Sequence, residues 1–143
     1  MADLIIPGYN KAQCKAFTRI LSRSEIGRMP EYNKDVKYVG PEKKPGLSRW
    51  IRRHGPGGAD YNFPAFCHDF YYGEAAKVDD PELHDELREE ADLMFLLLML
   101  VVAEHKDYST GTRWLRRTAD RFGALLYYDA VRDWGAPCAT KDG

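Results

Sequence analysis

A histidine and an aspartate stand side by side in an aromatic segment at the middle of the chain, residues 62–73. Pro64 suits the first turn of a helix, and a helix would place His68 and Tyr72 one turn apart on one face. Asp69 would then lie about 100° around the same axis. Burying an ionisable pair among aromatic rings is costly without partners, so the segment predicts a pocket with a base and a metal-type ligand. The alternative is an amphipathic helix whose edge exposes both side chains.

A second acidic residue, Asp92, opens the longest apolar run and needs a donor if it is buried. Antiparallel pairing of two helices would let Asp92 hold one ring nitrogen of His68 and leave the other to take a proton from water. Asp69 suits a hard cation such as Ca²⁺, which would stabilise an oxyanion developing on a carbonyl. The alternative for Asp92 is a solvent-facing position beside Glu89 and Glu90.

The fold that must position these residues is predicted to be mostly α, a small single domain with a core of three long helices and an irregular, loop-rich N-terminal half. At 143 residues the chain is long enough to bury a core as one domain. Apolar spacing, proline and glycine predict the following elements: a helix over 11–26, a strand over 36–39, a helical turn over 47–51, the His-Asp helix, a loop over 73–81, a helix over 82–105 with Asp79 or Asp80 as its N-cap, a turn over 109–111 and a helix over 113–134 stopped by Gly135-Ala136-Pro137. The residues expected to be mostly buried are Leu93, Phe95, Leu96, Leu97, Leu100, Leu125 and Leu126, and the apolar face predicted for the last helix also includes Trp114, Leu115, Phe122 and Val131.

Charge and cysteine content exclude several classes of protein. A formal net charge of −1 is not typical of a dedicated nucleic-acid binder. Basic residues predominate over 11–53 and acidic ones over 60–107, which indicates either a solvated surface or a basic rim that meets anionic lipid. Three widely spaced cysteines offer no disulfide framework. The N-terminus has no basic segment of a signal peptide, so we expect synthesis in the cytoplasm, with release by lysis or specialised export left open.

The run His68-Asp69-Phe70-Tyr71-Tyr72 resembles the His-Asp-x-x-Tyr signature of the calcium-dependent phospholipase A2 superfamily, and Asp92 matches the later helical Asp of that family. The resemblance implies one phospholipase A2-like domain over 1–143, with 1–58 as a helix and loop-rich cover and 59–135 as the catalytic-type helices. It implies that His68 is the general base, Asp92 its orienting group, Tyr72 a hydrogen-bonding support and Asp69 the side-chain ligand of Ca²⁺. The other ligands would be backbone carbonyls of a glycine loop, and the candidates are Gly40 and the pair Gly55 and Gly57.

The sequence departs from the secreted members of that superfamily, because Ala65 and Tyr71 stand where those proteins have cysteines. A looser likeness connects the chain to small uncharacterised proteins of phages and prophages. It rests on the His-Asp-x-x-Tyr-like helix, an Ala-Asp-x-x-Phe helix and the Tyr-x-Ala-Val-x-x-x-Gly pattern over 128–135. That likeness covers more of the chain and names no activity.

The expected function is therefore calcium-dependent hydrolysis of a phospholipid acyl ester, in a phage-associated or toxin-associated setting, with a phospholipid or membrane surface as substrate and no nucleic-acid partner. One alternative is a non-catalytic structural or adaptor protein of a phage, in which His68 and Asp92 satisfy each other in the core. Another is a metal-dependent phosphohydrolase of the His-Asp type, with His54, His68, Asp69 and Asp129 as ligands of a transition metal.

Overall fold

The computed structural model of the chain describes residues 5–21, 23–39 and 52–140, and it is mostly α-helical, as predicted. The described helices are α1 (Lys11–Ile20), α2 (Arg23–Arg28), α3 (Asn62–Ala76), α4 (Pro81–His105) and α5 (Arg113–Thr140), with a short 3₁₀-helix (Thr110–Thr112) before α5. The long helices α3, α4 and α5 form the core. None of the described helices combines the length and the apolar composition needed to cross a membrane.

Local side-chain caps explain where two helices begin. At the start of α1, Asn10 and Gln13 form a reciprocal capping box, in which each side chain accepts a hydrogen bond from the backbone of the other. At the start of α4, the carboxylate of Asp80 accepts from the amide of Glu82 at 3.1 Å, and Pro81 occupies the first helical position. The N-cap predicted at Asp79 or Asp80 is thus Asp80.

Several boundaries differ from the sequence-based prediction. The helix predicted over 11–26 is two helices, because the chain is extended at Leu21 between α1 and α2. The loop predicted from Gly73 begins later, since α3 continues to Ala76 and buries Ala75 in its last turn. The stop predicted at 135–137 is also wrong, because α5 runs on to Thr140. A proline removes one amide donor from a helix, and α5 continues despite that loss.

The strand predicted over 36–39 is absent from the described structure. The side chain of Asn62 takes the place of a strand partner: its oxygen accepts from the amide of Tyr38 at 2.8 Å, and its nitrogen donates to the carbonyl of Val36 at 2.7 Å. This segment is therefore held as irregular chain against the start of α3. The helical turn predicted over 47–51 lies outside the described residues.

Aromatic packing attaches the N-terminal half to α3. The ring of Phe63 lies 4.8 Å from that of Phe17 in α1 and 5.3 Å from that of Tyr32, as measured between centroids. Tyr9 also donates from its hydroxyl to the carbonyl of Asp60 at 2.8 Å. The described part of the loop-rich half therefore covers α3.

The buried face of α5 is not the apolar stripe that the sequence predicted. Its core-facing residues are Asp120, Ala124, Tyr127 and Ala130. Of the residues expected to be buried, Phe95 is buried and Leu96 and Leu100 are partly buried, whereas Leu93, Leu97, Leu125 and Leu126 are exposed, as are Trp114, Leu115 and Phe122. Small residues bring α5 close to the core, and its large apolar residues face outward.

Candidate active site

The pairing of α3 with α4 brings His68 and Asp92 into contact. His68 Nε2 lies 2.7 Å from Asp92 Oδ1, and the hydroxyl of Tyr72 donates to the same oxygen at 2.5 Å. The imidazole is packed against Tyr72 and Phe95, with ring centroids 4.1 and 4.7 Å away. The His68 side chain is 9% exposed and that of Asp92 is fully buried. The structure therefore joins the three residues that the sequence singled out as base, orienting group and support.

Asp92 is ionised in this buried position because three donors surround it. Burial alone would raise its pKa, but hydrogen bonds from His68, Tyr72 and Arg132 outweigh burial and lower the pKa of Asp92. Arg132 Nη1 on α5 lies 2.7 Å from Asp92 Oδ2. Sequence reasoning missed Arg132 as a site residue. Its only signal was its place inside the 128–135 pattern.

The hydrogen bond to Asp92 fixes which ring nitrogen of His68 is available for chemistry. Nε2 is engaged, and no hydrogen bond from the described residues engages Nδ1. The neighbouring thiol of Cys67 is buried. Burial raises the pKa of this thiol well above its ordinary value. The arrangement can therefore activate a water through Nδ1, whereas the adjacent thiol lacks the character of a nucleophile.

Asp69 fits the role of a single side-chain ligand for a hard cation. Its side chain is exposed, and the protein atoms packed near it raise the pKa of Asp69 to about 6, whereas the charge of His68 acts to lower it. No ion pair with another described residue compensates this charge. A carboxylate in this state gains from a bound cation, and Ca²⁺ accepts carboxylate oxygen as a ligand.

The glycine loop around Gly55 and Gly57 has a structural explanation of its own. The buried carboxylate of Asp120 on α5 accepts from the amide of Gly57 at 2.7 Å and from the amide of Ala59 at 3.0 Å. A Cβ on Gly57 would lie 2.1 Å from the carbonyl oxygen of Arg116. Both glycines are needed because α5 approaches the loop so closely, since a Cβ on Gly55 would also meet the Asp120 carboxylate at 2.4 Å.

This loop lies far from the histidine along α5. It contacts α5 at Asp120, whereas Asp92 contacts α5 at Arg132, and the helical rise places about 18 Å between those two positions. No hydrogen bond among the described residues joins Gly55 or Gly57 to Asp69, and their role as metal ligands stays a prediction. Gly40, the other candidate, lies outside the described residues.

A second arginine beside the site is buried without full compensation. Arg88 lies one helical turn before Asp92, and its charge acts on the hydroxyl of Tyr72. Its Nε and Nη1 atoms are buried and have no hydrogen-bond partner, and Nη2 is 4.0 Å from the exposed carboxylate of Asp85. A buried guanidinium with unsatisfied donors is costly to the fold. Arg88 therefore places a partly compensated positive charge next to Tyr72, with which it also shares a hydrogen bond, a feature that the sequence alone did not indicate.

The residues proposed for a phosphohydrolase do not meet at this site. His54 forms an isolated bridge with Asp60 ahead of α3, and Asp129 is exposed on α5. Across residues 5–21, 23–39 and 52–140, no three His, Cys, Asp or Glu side chains form a group that could hold a metal ion.

Comparison of the chain with protein-family models, with curated proteins and with solved structures found no match. The interpretation of the site therefore rests on its geometry: a buried His68–Asp92 pair, Tyr72 on the shared oxygen, and Arg132 on the other oxygen. That geometry is a base held by an ionised carboxylate.

Proposed function

We propose that this protein hydrolyses an acyl ester of a phospholipid in a calcium-dependent reaction, with His68 as the general base. The observation that carries the proposal is the hydrogen bond of 2.7 Å between His68 Nε2 and a fully buried Asp92 whose same oxygen accepts from Tyr72. A carboxylate held in this way keeps the proton of the neutral imidazole on Nε2. The lone pair of Nδ1 is then directed at the reacting water.

In the proposed reaction, water attacks the ester carbonyl as its proton passes to Nδ1 of His68. The new carbon–oxygen bond forms while the oxygen–hydrogen bond of water breaks, and the resulting imidazolium is stabilised by the negative charge of Asp92. The same proton then passes to the leaving alkoxide when the ester bond breaks. Tyr72 and Arg132 contribute by keeping Asp92 ionised and fixed in orientation.

Ca²⁺, when bound, would supply positive charge beside the ester carbonyl. Asp69 is the described residue that would hold it, since it follows His68 directly and carries an exposed carboxylate with no ion pair to another described residue. The described glycine loop is anchored elsewhere by Asp120, so it gives no support to this part of the proposal.

The positive charge of Arg88 favours an anionic substrate over a neutral ester. The guanidinium of Arg88 acts on the hydroxyl of Tyr72 through its charge and a hydrogen bond, and a phosphate oxygen is a strong acceptor for guanidinium. We expect Arg88→Gln to lower kcat/KM for a phospholipid at least tenfold, while hydrolysis of an uncharged short-chain ester changes less than twofold. Arg113→Gln, at an exposed position at the start of α5, is the matched control and should change neither rate.

The direct test is hydrolysis of mixed phospholipid vesicles by the purified chain, with Ca²⁺ and with a chelator. The proposal expects release of fatty acid with Ca²⁺ and its loss with the chelator, with restoration when Ca²⁺ is added back. Hydrolysis that is equal under both conditions would remove the calcium role. No release of fatty acid from any phospholipid would remove the proposed reaction.

A specific observation favours the non-catalytic alternative as second candidate. His68 and Asp92 are both buried and satisfy each other, as polar groups of a structural core also do. In a phage structural or adaptor protein, His68→Ala would lower the melting temperature and no ester would be hydrolysed. The expected cytoplasmic synthesis and later release by lysis or export fit both candidates.

A further inference from the structure

We infer that the outer face of α4 and α5 binds a second copy of this chain. Ten large hydrophobic residues are exposed in the described part of the chain, and eight of them lie on these two helices. On α5, Trp114 is 77% exposed, Phe122 64% and Leu126 55%, and Leu115 and Leu125 lie on the same helical face. We call these residues, together with Leu83, Leu93 and Leu97 of α4, the outer patch.

The two helices place part of the outer patch side by side. They run antiparallel, as two cross-connections show: Asp92 to Arg132, and the exposed ion pair of Glu104 with Arg121. This register places Leu97 opposite residues 125–128, so the leucines of α4 lie beside the apolar face of α5. Leu93 and Leu97 therefore adjoin the apolar face of α5, whereas Leu83 lies beyond Glu86 and Glu90 at the start of α4.

The size of the outer patch is that of a protein interface. At the lower end of the range for aromatic side chains, about 150 Å² each, the eight residues at these exposures present roughly 700 Å². Monomeric proteins rarely expose apolar patches above about 300–600 Å². A stable interface buries about 800 Å² on each partner.

The charges around the outer patch favour a second copy over an anionic lipid surface. At the end where α4 begins, the exposed side chains are acidic: Glu82, Glu86 and Glu90. At the opposite end, where α5 begins, Arg113 and Arg116 are exposed, and Arg121 is exposed and paired with Glu104. A two-fold axis across the middle of the patch would set the acidic end of each copy on the basic end of the other, whereas the acidic end would be repelled by anionic headgroups.

The first test is the mass of the full-length chain in solution, measured by sedimentation or light scattering. We expect the mass to double within about 1–100 μM, because interfaces of this size have micromolar or tighter dissociation constants. Phe122→Glu should remain monomeric with an unchanged helical circular dichroism spectrum. Ile5→Glu, at a position 84% exposed away from the patch, should dimerise like the wild type.

Charge reversal tests the two-fold arrangement and does not depend on a single variant. Glu86→Lys with Glu90→Lys makes both ends basic, and Arg113→Glu with Arg121→Glu makes both ends acidic. Each double variant should be monomeric alone, and an equimolar mixture should form a heterodimer. A wild type that is monomeric at about 100 μM would overturn the inference, as would charge variants that dimerise alone. A monomer whose Phe122→Glu variant loses binding to anionic vesicles would assign the patch to lipid instead.

Discussion

Asp92→Asn tests whether the buried carboxylate orients the base or only fills the core. Asp92 accepts three hydrogen bonds, and its carboxylate forms an ion pair with Arg132. Hydrogen bonds to a charged group contribute about 1.5–3 kcal/mol each, against about 0.5–1.5 kcal/mol for neutral pairs. The amide has one acceptor oxygen, so its NH₂ group must face either Arg132 or the His68 and Tyr72 pair. We expect a loss of about 2–4 kcal/mol in unfolding free energy.

The same substitution should lower kcat by about 10²–10⁴, because His68 loses the carboxylate that fixes its tautomer. Arg132→Gln in the Asp92→Asn background separates the two effects. It removes the unpaired guanidinium, so it should recover part of the unfolding free energy and none of the rate. Chemical denaturation and a phospholipid hydrolysis assay on the four proteins measure both quantities. Recovery of the rate in the double variant, or an unchanged rate in Asp92→Asn, would refute an orienting role.

Three further predictions follow from the described contacts. Gly57→Ala should lower the melting temperature by several degrees, because its Cβ would meet a backbone carbonyl at 2.1 Å, whereas Gly73→Ala, with open space around it, should be neutral or stabilising. Asp69→Asn should abolish the rise in melting temperature that Ca²⁺ gives to the wild type, and a rise of equal size in the variant would exclude Asp69 as a ligand. Folding lowers the pKa of Asp92, so the ionised carboxylate stabilises the fold above the unfolded pKa of about 3.9, and this stabilisation is lost as pH falls through the folded pKa. The unfolding free energy should therefore fall less steeply with decreasing pH in Asp92→Asn than in the wild type. Equal dependence on pH in the two proteins would contradict this.

The contact between His68 and Asp92 was predictable from sequence because both lie on long helices. Helical spacing fixes which residues share a face, and a carboxylate next to an apolar run needs a donor. Arg132 and Arg88 were not predictable in the same way. A long side chain reaches a buried carboxylate only in a particular packing of α5 on α4, and arginines on helices are usually solvated.

The exposed leucines show what periodicity leaves undetermined. The spacing of Phe122, Leu125 and Leu126 identifies an apolar face of α5 and says nothing about what covers it. The side that packs on the core is the one with Asp120 and Ala124, where small residues and a buried carboxylate allow close approach of the Gly55–Gly58 loop. The sequence did not indicate that Asp120 is buried, because an acidic residue next to Arg121 is typical of a surface position.

Whether His68 is a base or a metal ligand is decided by two measurements on one variant. Purified His68→Asn is titrated with Ca²⁺ by calorimetry or thermal shift, and its phospholipid hydrolysis is measured with saturating Ca²⁺. We expect turnover to be lost while Ca²⁺ binds as it does to the wild type, because imidazole is not a preferred ligand of that cation. Calcium affinity that falls as severely in His68→Asn as in Asp69→Asn would make the histidine a ligand, and turnover at the wild-type rate in His68→Asn would contradict its role as the base.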